Sequence, residues 1–208
     1  SNLGDYQEAI ADYSKAIEIN PQYAHAYDNR GYAKRNLKDY QGAIADHTKA
    51  IEINPQHANA YYNRGLAKSN LGDHQEAIAD YNKAIAINPQ HVYVYSIRGA
   101  TKLYLKDYQG AIIDYNKAIE INPQDAKTYY KRGVAKSNLG DYQGAIADLN
   151  KSIAINPQDS DAYTYRGAAK ATLNDWDSAC LDLRKASSMR NQDAVNLLLK
   201  LKSTGACQ

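Results

Sequence analysis

The dipeptide Pro-Gln occurs five times at a constant spacing of 34 residues, starting at Pro21, Pro55, Pro89, Pro123 and Pro157. Between these points one pattern is repeated with few changes, with Tyr, Arg-Gly, Ala-Lys, Asp, Ala-Ile, Asp, Lys-Ala-Ile and Ile-Asn-Pro in the same order. A self-similarity of this length is typical of helix–turn–helix solenoids, in which each unit buries its apolar face against its neighbours. The period therefore predicts an all-α repeat architecture and favours a binding scaffold over an enzyme.

The repeated residues resemble the tetratricopeptide repeat family over nearly the whole chain. An aromatic residue, a glycine, an alanine and a proline of the family pattern fall on Tyr27, Gly31, Ala43 and Pro55. Two family positions differ in every copy, because Arg replaces Leu and Lys replaces Tyr, as at Arg30 and Lys34 in the first complete copy. The resemblance implies a right-handed superhelical solenoid with a C-terminal capping helix. Its expected parts are a partial repeat with helix B only (1–23), full repeats 24–57, 58–91, 92–125, 126–159 and 160–193, a capping helix 193–202 and a tail 203–208.

Each repeat is predicted to hold a helix A, a short turn and a helix B. In the first full repeat, helix A runs from about Ala24 to Leu37, and helix B ends before Pro55, since proline disfavours a helical residue before it. A glycine inside helix A costs about 1 kcal/mol relative to alanine, so its recurrence at one position predicts close packing of helix A on helix B. An aspartate before each helix B is expected to act as N-cap: Asp39, Asp73, Asp107, Asp141 and Asp175. Asp193 is the expected N-cap of the last helix.

Two charged positions recur as regularly as the glycine. Arginine is found at Arg30 and its equivalents in helix A, and aspartate at Asp46 and its equivalents in helix B. Arginine could form a ladder for anions, but equal numbers at a fixed spacing favour planar, charge-assisted pairs inside the solenoid. We therefore interpret these residues as structural.

The composition excludes several classes of partner. The formal net charge is only +2, which gives no electrostatic case for nucleic acid, and no apolar stretch is long enough for membrane insertion. No secretory signal is present; cytoplasmic localisation is favoured, although the chain opens inside a repeat and any targeting segment would lie upstream of Ser1. Cys180 replaces a helical Ile and is expected to be a buried small hydrophobe, while Cys207 lies in a polar tail where an intermolecular disulfide is conceivable. Nothing indicates a disulfide framework.

Catalytic and metal-binding motifs are not found in the sequence. None of the five histidines lies four residues from another, so no helix face presents a zinc-type ligand pair. His57 and His91 are replaced by Asp125 and Asp159 in later repeats, and we interpret both histidines as solvated loop residues. No phosphate-binding glycine loop or nucleophilic triad is found. We therefore predict no catalytic residues, no cofactor and no metal.

The candidate site follows from the resemblance. In tetratricopeptide proteins the concave groove is formed mainly by helix A at the second, fifth, sixth, ninth, twelfth and thirteenth repeat positions. Six of the 30 matching residues here are Tyr and five are charged, and they vary between repeats while the scaffold positions are nearly invariant. Tyrosine and asparagine suit an adaptable peptide site. The predicted groove residues are Asn29, Tyr32, Asn59, Tyr62, Asn63, Leu66, Tyr93, Ile97, Tyr104, Lys127, Tyr130, Lys131 and Tyr165.

The predicted function is a non-enzymatic protein–protein interaction scaffold that binds a peptide or partner helix in this groove. One alternative is a structural or self-assembly module that joins chains through exposed repeat edges, above all through Ile10, Tyr13 and Ile17 of the N-terminal helix B. A second alternative is the solenoid part of a larger enzyme or adaptor. A grip on a C-terminal carboxylate, known in chaperone adaptors, is disfavoured because only Lys127 and Lys131 match the five residues that it needs. The identity of the partner is not encoded in any recognisable motif.

Overall fold

The computed structural model describes residues 3–207, and every helix or strand in that range is an α-helix. Two compact units, divided at Thr101 and Lys102 inside α6, are described separately. The first contains α1 to α5 and most of α6, and the second contains the end of α6 and the later helices. The bounds are α1 Leu3–Ile19, α2 Ala24–Asn36, α3 Tyr40–Ile53, α4 Ala58–Leu71, α5 His74–Ile87, α6 Val92–Tyr104, α7 Tyr108–Ile121, α8 Ala126–Asn138, α9 Tyr142–Ile155, α10 Ser160–Thr172, α11 Trp176–Ser188 and α12 Gln192–Ser203.

Within each unit, helices pack on their neighbours in the chain. In the first unit α2 packs on α3 and α4 on α5, while α1 packs on α2 and α3 on α4. In the second unit α8 packs on α9 and α10 on α11, with further contacts from α7 to α8, α9 to α10 and α11 to α12. The prediction of an all-α repeat solenoid is confirmed.

The helix boundaries follow from local chemistry. The residue before each proline is extended, as at Asn54 (φ −132°, ψ 92°), and its side-chain oxygen accepts a hydrogen bond from Gln56 N at 3.0 Å. The turn from helix A to helix B has one residue with positive φ, which is glycine at Gly72 and Gly140 and lysine at Lys38 and Lys106. These turns bring each helix A back against its helix B.

The aspartate N-caps depend on the residue three positions later. Where that residue is glycine, the aspartate accepts from the glycine N–H at 2.9 Å, as at Asp39, Asp107 and Asp141. Where the third residue is Ser178, its N–H donates to the Asp175 carboxylate over a longer distance of 3.4 Å. Where it is Glu76, the Asp73 side chain makes no capping hydrogen bond. A Cβ on Gly42 would meet the Asp39 carboxylate at 2.1 Å, so a larger residue hinders the cap. The prediction of five aspartate caps is wrong for Asp73.

The helix-A glycines allow a close approach between helices, as expected. A Cβ on Gly31 would lie 2.8 Å from the His47 ring, and one on Gly65 would lie 2.6 Å from the Tyr81 ring. In the second unit Gly133 and Gly167 face Leu149 and Leu183 in the same way, at 3.0 and 2.9 Å. The side chain that packs against each of these glycines therefore belongs to a large helix-B residue. The small Ala43 and Ala50 of helix B are also buried.

The recurring arginine, lysine and aspartate form one ion-pair motif. In the second unit, Arg132 donates to both oxygens of Asp148 at 2.8 and 2.6 Å, and Lys136 lies 2.8 Å from Asp148. The remaining Arg132 nitrogen donates at 2.7 Å to Asn116 of the preceding helix B, and its guanidinium lies 5.6 Å from the Tyr129 ring centroid. The Arg–Asp and Lys–Asp contacts recur around Arg30, Arg64 and Arg166, whose remaining nitrogens donate to Ser14, Thr48 and Asn150 respectively. The arginine and the lysine that depart from the family pattern thus both bind the same aspartate, which supports the structural interpretation.

The C-terminal region differs from two expectations. The N-cap of α12 is Asn191, whose side chain accepts from Ala194 N at 3.0 Å, whereas Asp193 lies inside the first turn. Cys180 and Cys207 form a disulfide, with Cα atoms 5.9 Å apart. The expectations of an unpaired Cys180 and a free or intermolecular Cys207 are therefore wrong, because the turn after α12 brings the tail back onto α11.

Candidate functional site

Five of the predicted groove residues of the first unit line one pocket of about 270 Å³. Helices α2 and α4 supply them, and Asp28 and His91 complete the lining. The Tyr32 side chain is 45% exposed at this surface, and Tyr62 is half-buried. The predicted lining residues are Asn29, Tyr32, Asn59, Tyr62 and Asn63.

The other predicted residues of the first unit do not line this pocket. Tyr93 is 70% exposed, and its ring lies 6.2 Å from that of His91. Ile97 packs against the core formed by α5 and α6, and Leu66 is half-buried. They remain predicted groove residues on the same unit.

Asp28 carries the only carboxylate of the pocket lining. Asp28 is 6% exposed. Its Oδ1 atom lies 2.8 Å from His47 Nδ1 and accepts a hydrogen bond from Asn63 Nδ2 at 3.2 Å. Burial raises the pKa of this carboxyl, but the hydrogen bond and electrostatic attraction of His47, the hydrogen bond of Asn63 and the electrostatic attraction of His57 together outweigh it and hold the pKa below its ordinary value. The carboxylate is therefore ionised near neutral pH.

His57 is not the solvated loop residue that we expected. It is 8% exposed, and its Nδ1 atom accepts from Ala60 N at 3.4 Å, so it caps α4. Its Nε2 atom lies 3.2 Å from His25 Nδ1 and 3.8 Å from Asp28 Oδ2. Burial lowers the pKa of His57, and the His25 and His47 rings add to this against the opposing effect of Asp28.

The sequence contained a signal for this role of His57. Asp125 and Asp159 take its place in later repeats, and both accept hydrogen bonds from the first turn of the following helix. Substitution by a strong N-cap residue at one repeat position indicates a capping function. The expectation for His91 is also wrong, because that residue is half-buried, with its ring 5.4 Å from that of Tyr62 and its pKa lowered by burial.

In the second unit the predicted residues are spread over the surfaces of α6, α8 and α10. The rings of Tyr130 and Tyr165 meet edge to face with centroids 5.5 Å apart. Tyr104 is 71% exposed and Lys127 is exposed, whereas Lys131 is half-buried and its pKa is lowered by burial and by Lys127. A pocket of about 230 Å³ in this unit contains Tyr165 but no other predicted residue.

A larger cavity of about 600 Å³ lies beside the disulfide in the second unit. Its walls include Trp176, Leu181 and Arg184 of α11 and the tail around Cys207. None of the predicted groove residues lines it. We consider the pocket on α2 and α4 the better candidate site, because five residues predicted independently of the structure meet there.

Two further properties bear on the kind of site. Within residues 3–207, no group of three or more His, Cys, Asp and Glu side chains is arranged to hold a metal ion. The helices of the same range also include none that is long and apolar enough to cross a membrane.

Family models for tetratricopeptide repeats match most of the sequence. One matches residues 58–91, a second matches 103–169, and a third matches 2–38 and 31–72. The chain belongs to the tetratricopeptide repeat family, whose members are typically scaffolds for protein interactions rather than enzymes. No curated protein gives a significant sequence match.

Solved structures of the same architecture match most of the chain. YrrB, described as a TPR protein with an unusual peptide-binding site, is 23% identical over 89% of this chain and 96% of its own, with a TM-score of 0.79. MamA is 27% identical over 79% of this chain and 96% of its own, with a TM-score of 0.74. A tetratricopeptide repeat protein from Parabacteroides merdae is 23% identical over 95% of this chain and 92% of its own, with a TM-score of 0.67. These matches establish the fold.

Proposed function

We propose that this chain is a non-enzymatic scaffold that binds a peptide or partner helix on its Tyr- and Asn-rich helix-A surface. The observation that supports it best is the convergence of Asn29, Tyr32, Asn59, Tyr62 and Asn63 on one pocket. Aromatic side chains offer large contact areas with little entropy to lose, and amides can both donate to and accept from a peptide backbone. The peptide-binding site described for YrrB supports the same class of function.

The expected ligand is an uncharged or mildly amphipathic segment. The 30 groove positions contain three positive and two negative residues, which is too little net charge to neutralise several phosphates. Nucleic acid and strongly acidic tails are therefore poor candidates.

The test is a binding measurement on peptides selected from a displayed random library. Replacing Tyr32 or Tyr165 with Ala should weaken binding by about 1–3 kcal/mol, as for aromatic residues at the centre of an interface. These two are the cleanest choices because they are 45% and 40% exposed, whereas Tyr62 and Tyr130 also pack against core clusters. Tyr62→Ala and Tyr130→Ala should cost as much in binding and also lower stability.

The matched control is Tyr40→Ala at the start of α3, outside the groove positions, which should leave affinity unchanged. Raising salt from about 0.05 to 0.5 M should matter little, because few exposed charges take part. Affinity that collapses with salt and ignores all four groove tyrosines would refute the proposal.

A second candidate function is self-assembly through a repeat edge. It is favoured by α1, where Ile19 is 85% exposed and Ile10, Tyr13 and Ile17 are only half-buried against α2. Apolar surface of this kind commonly marks a contact.

A further inference from the structure

The first full repeat has a buried polar pair that no other repeat contains. In the other full repeats the position of Asp28 holds Tyr62, Ser96, Tyr130 and Thr164. The position of His47 holds Tyr81, Tyr115, Leu149 and Leu183. Both side chains are nine-tenths buried or more. Burying a charged group is costly, and the other repeats show that the same position packs well with uncharged residues. The pair therefore calls for a function beyond packing.

The two oxygens of Asp28 have different surroundings. Oδ1 is held by His47 and Asn63. Oδ2 accepts no hydrogen bond within residues 3–207, and its one ion-pair contact there is with His57 Nε2 at 3.8 Å, which is beyond hydrogen-bonding distance. Asp28 forms ion pairs only with histidines in this range, and no Lys or Arg pairs with it. One oxygen of an ionised carboxylate is thus left to accept from a ligand.

The pocket around Asp28 fits one long side chain. Its volume of about 270 Å³ lies below the roughly 300–1,000 Å³ of sites for drug-sized molecules. The aromatic rings of Tyr32 and Tyr62 and the amides of Asn29, Asn59 and Asn63 line the same pocket as the carboxylate. Aromatic faces attract cations, and amide oxygens accept from their N–H groups.

We propose that this pocket selects a basic side chain, arginine or lysine, of the bound peptide, and that Asp28 Oδ2 is its acceptor. This inference rests on the proposed function and names the feature of the peptide that the first unit recognises. One basic residue is compatible with an otherwise uncharged ligand. Since Asp28 is largely buried, its interaction is also less sensitive to salt than an exposed ion pair.

Three neighbours of the pocket could argue against a cation. His47 lies 2.8 Å from Asp28 Oδ1, but its Nε2 atom is buried without a hydrogen-bond partner, which favours a neutral ring whose Nδ1 donates to the carboxylate. Arg35 lies on the same helix and its guanidinium stacks on the Tyr32 ring at 5.3 Å, but it forms no ion pair with Asp28. His57 is near Asp28, but its Nδ1 accepts from Ala60 N, so its Nε2 bears the proton and the ring is neutral. The same tautomer opposes a metal at this point, because Nε2 has no free lone pair.

The test uses three probes on the wild-type chain: N-acetylarginine amide, N-acetylcitrulline amide and N-acetylglutamate amide. Citrulline has the shape of arginine without its charge. Binding is followed by ¹⁵N NMR through the side-chain amide signals of Asn29, Asn59 and Asn63. We expect the arginine probe to bind at least about tenfold more tightly than citrulline, as for a hydrogen bond to a charged group, and the glutamate probe not to bind. Equal affinity for arginine and citrulline overturns the inference without any variant.

Substitutions then assign the acceptor. Asp28→Asn should lower the affinity for the arginine probe about tenfold, while Asp12→Asn on α1, whose side chain is 78% exposed, should leave it unchanged. If Asp28→Asn does not fold, Tyr32→Leu replaces it and should weaken arginine several-fold but not citrulline. Retained arginine affinity in a folded Asp28→Asn chain contradicts the assignment.

Failure of this inference can be separated from failure of the proposed function. Library peptides that depend on the groove tyrosines but show no enrichment of Arg or Lys would leave the scaffold function intact and exclude the basic side chain. Conversely, an arginine probe that binds while no peptide is ever selected would support the pocket and count against the scaffold function.

Discussion

At the residue scale, one repeat position can serve different purposes in different repeats. His47, Tyr81, Leu149 and Leu183 all pack on a helix-A glycine, yet only His47 also contacts an acid. His57 caps its helix as Asp125 and Asp159 do, and it adds a contact with His25. The repeat pattern thus preserves a structural role while the chemistry of the side chain is free to change.

The His57 contacts predict that acid weakens the first unit. The pKa of His57 is lowered from its ordinary value of 6.5, so the unfolded chain binds a proton that the folded chain does not. The stability that neutral His57 contributes is fully present above about pH 6.5, the pKa of the unfolded chain, and is lost as the pH falls through the lower pKa of the folded chain. Asp28, whose pKa lies below its ordinary 3.8, loses its own contribution only at more acidic pH. Denaturant unfolding at pH 7.5, 6.5 and 5.5 measures the first effect.

The control for this prediction is His57→Asn, which keeps a capping side chain but does not titrate. It should flatten the dependence between pH 7.5 and 5.5. His91 of the same unit also has a pKa lowered by burial, so a slope that remains in His57→Asn is assigned to His91. An unchanged slope in His57→Asn would show that His57 is not responsible.

The glycine contacts predict opposite effects for two substitutions of the same type. Gly65→Ala should destabilise the chain by about 1–3 kcal/mol, because its Cβ would lie 2.6 Å from the Tyr81 ring. Gly4→Ala in α1 has nothing within 4 Å and should be neutral or stabilising, by up to about 1 kcal/mol. Urea unfolding of both variants measures the difference. A stabilised Gly65→Ala chain would mean that helix A and helix B are further apart than described.

At the scale of helices, the Arg–Lys–Asp motif joins three elements. Arg132 on α8 reaches Asp148 on α9 and Asn116 on α7. A flexible apolar residue could fill the same space, but it would not fix the register of one helix pair against the next. The arginine position that departs from the family pattern therefore links adjacent repeats, while the lysine position pairs with the aspartate of its own repeat.

Removing the acid from this motif should be costly. Asp148→Ala leaves Arg132 and Lys136 without their shared partner, and the loss of one member of a buried pair costs about 3–5 kcal/mol. The control is Glu52→Ala, which breaks the exposed pair of Lys49 and Glu52 and should cost less than about 1 kcal/mol. Thermal and urea unfolding report both values. A similar small loss in both variants would show that the motif contributes little.

At the scale of the whole molecule, the two units share one scaffold but present different groove surfaces. The first has Asp28 and its histidines beside Tyr62, whereas the second has Lys127 and Lys131 beside Tyr130. Since the scaffold contacts are the same in both, these differences are the features that a ligand can distinguish.

Self-association through α1 is the prediction at this scale. The exposed Ile19 and the half-buried Ile10 and Ile17 should bring chains together at high concentration, so the mass from light scattering should rise with concentration. Ile10→Glu with Ile17→Glu should keep the chain monomeric, and Ile113→Glu on α7, a residue that is 59% exposed, serves as the control. A constant monomer mass for the unaltered chain would contradict the prediction.

The sequence by itself determined the repeat period, the helices, their turns and the need for a glycine in each helix A. These features depend on residues within one turn or one repeat, where the spacing of Asp, Pro and Gly acts through local backbone geometry. Through the family resemblance it also predicted Asn29, Tyr32, Asn59, Tyr62 and Asn63 as residues of one surface, because they occupy helix-A positions that form the groove in tetratricopeptide proteins. Only the tertiary structure decided that His57 is buried against His25 and that Cys180 pairs with Cys207. These partners are 32 and 27 residues apart, and their contact depends on how successive helices pack, which no local pattern encodes.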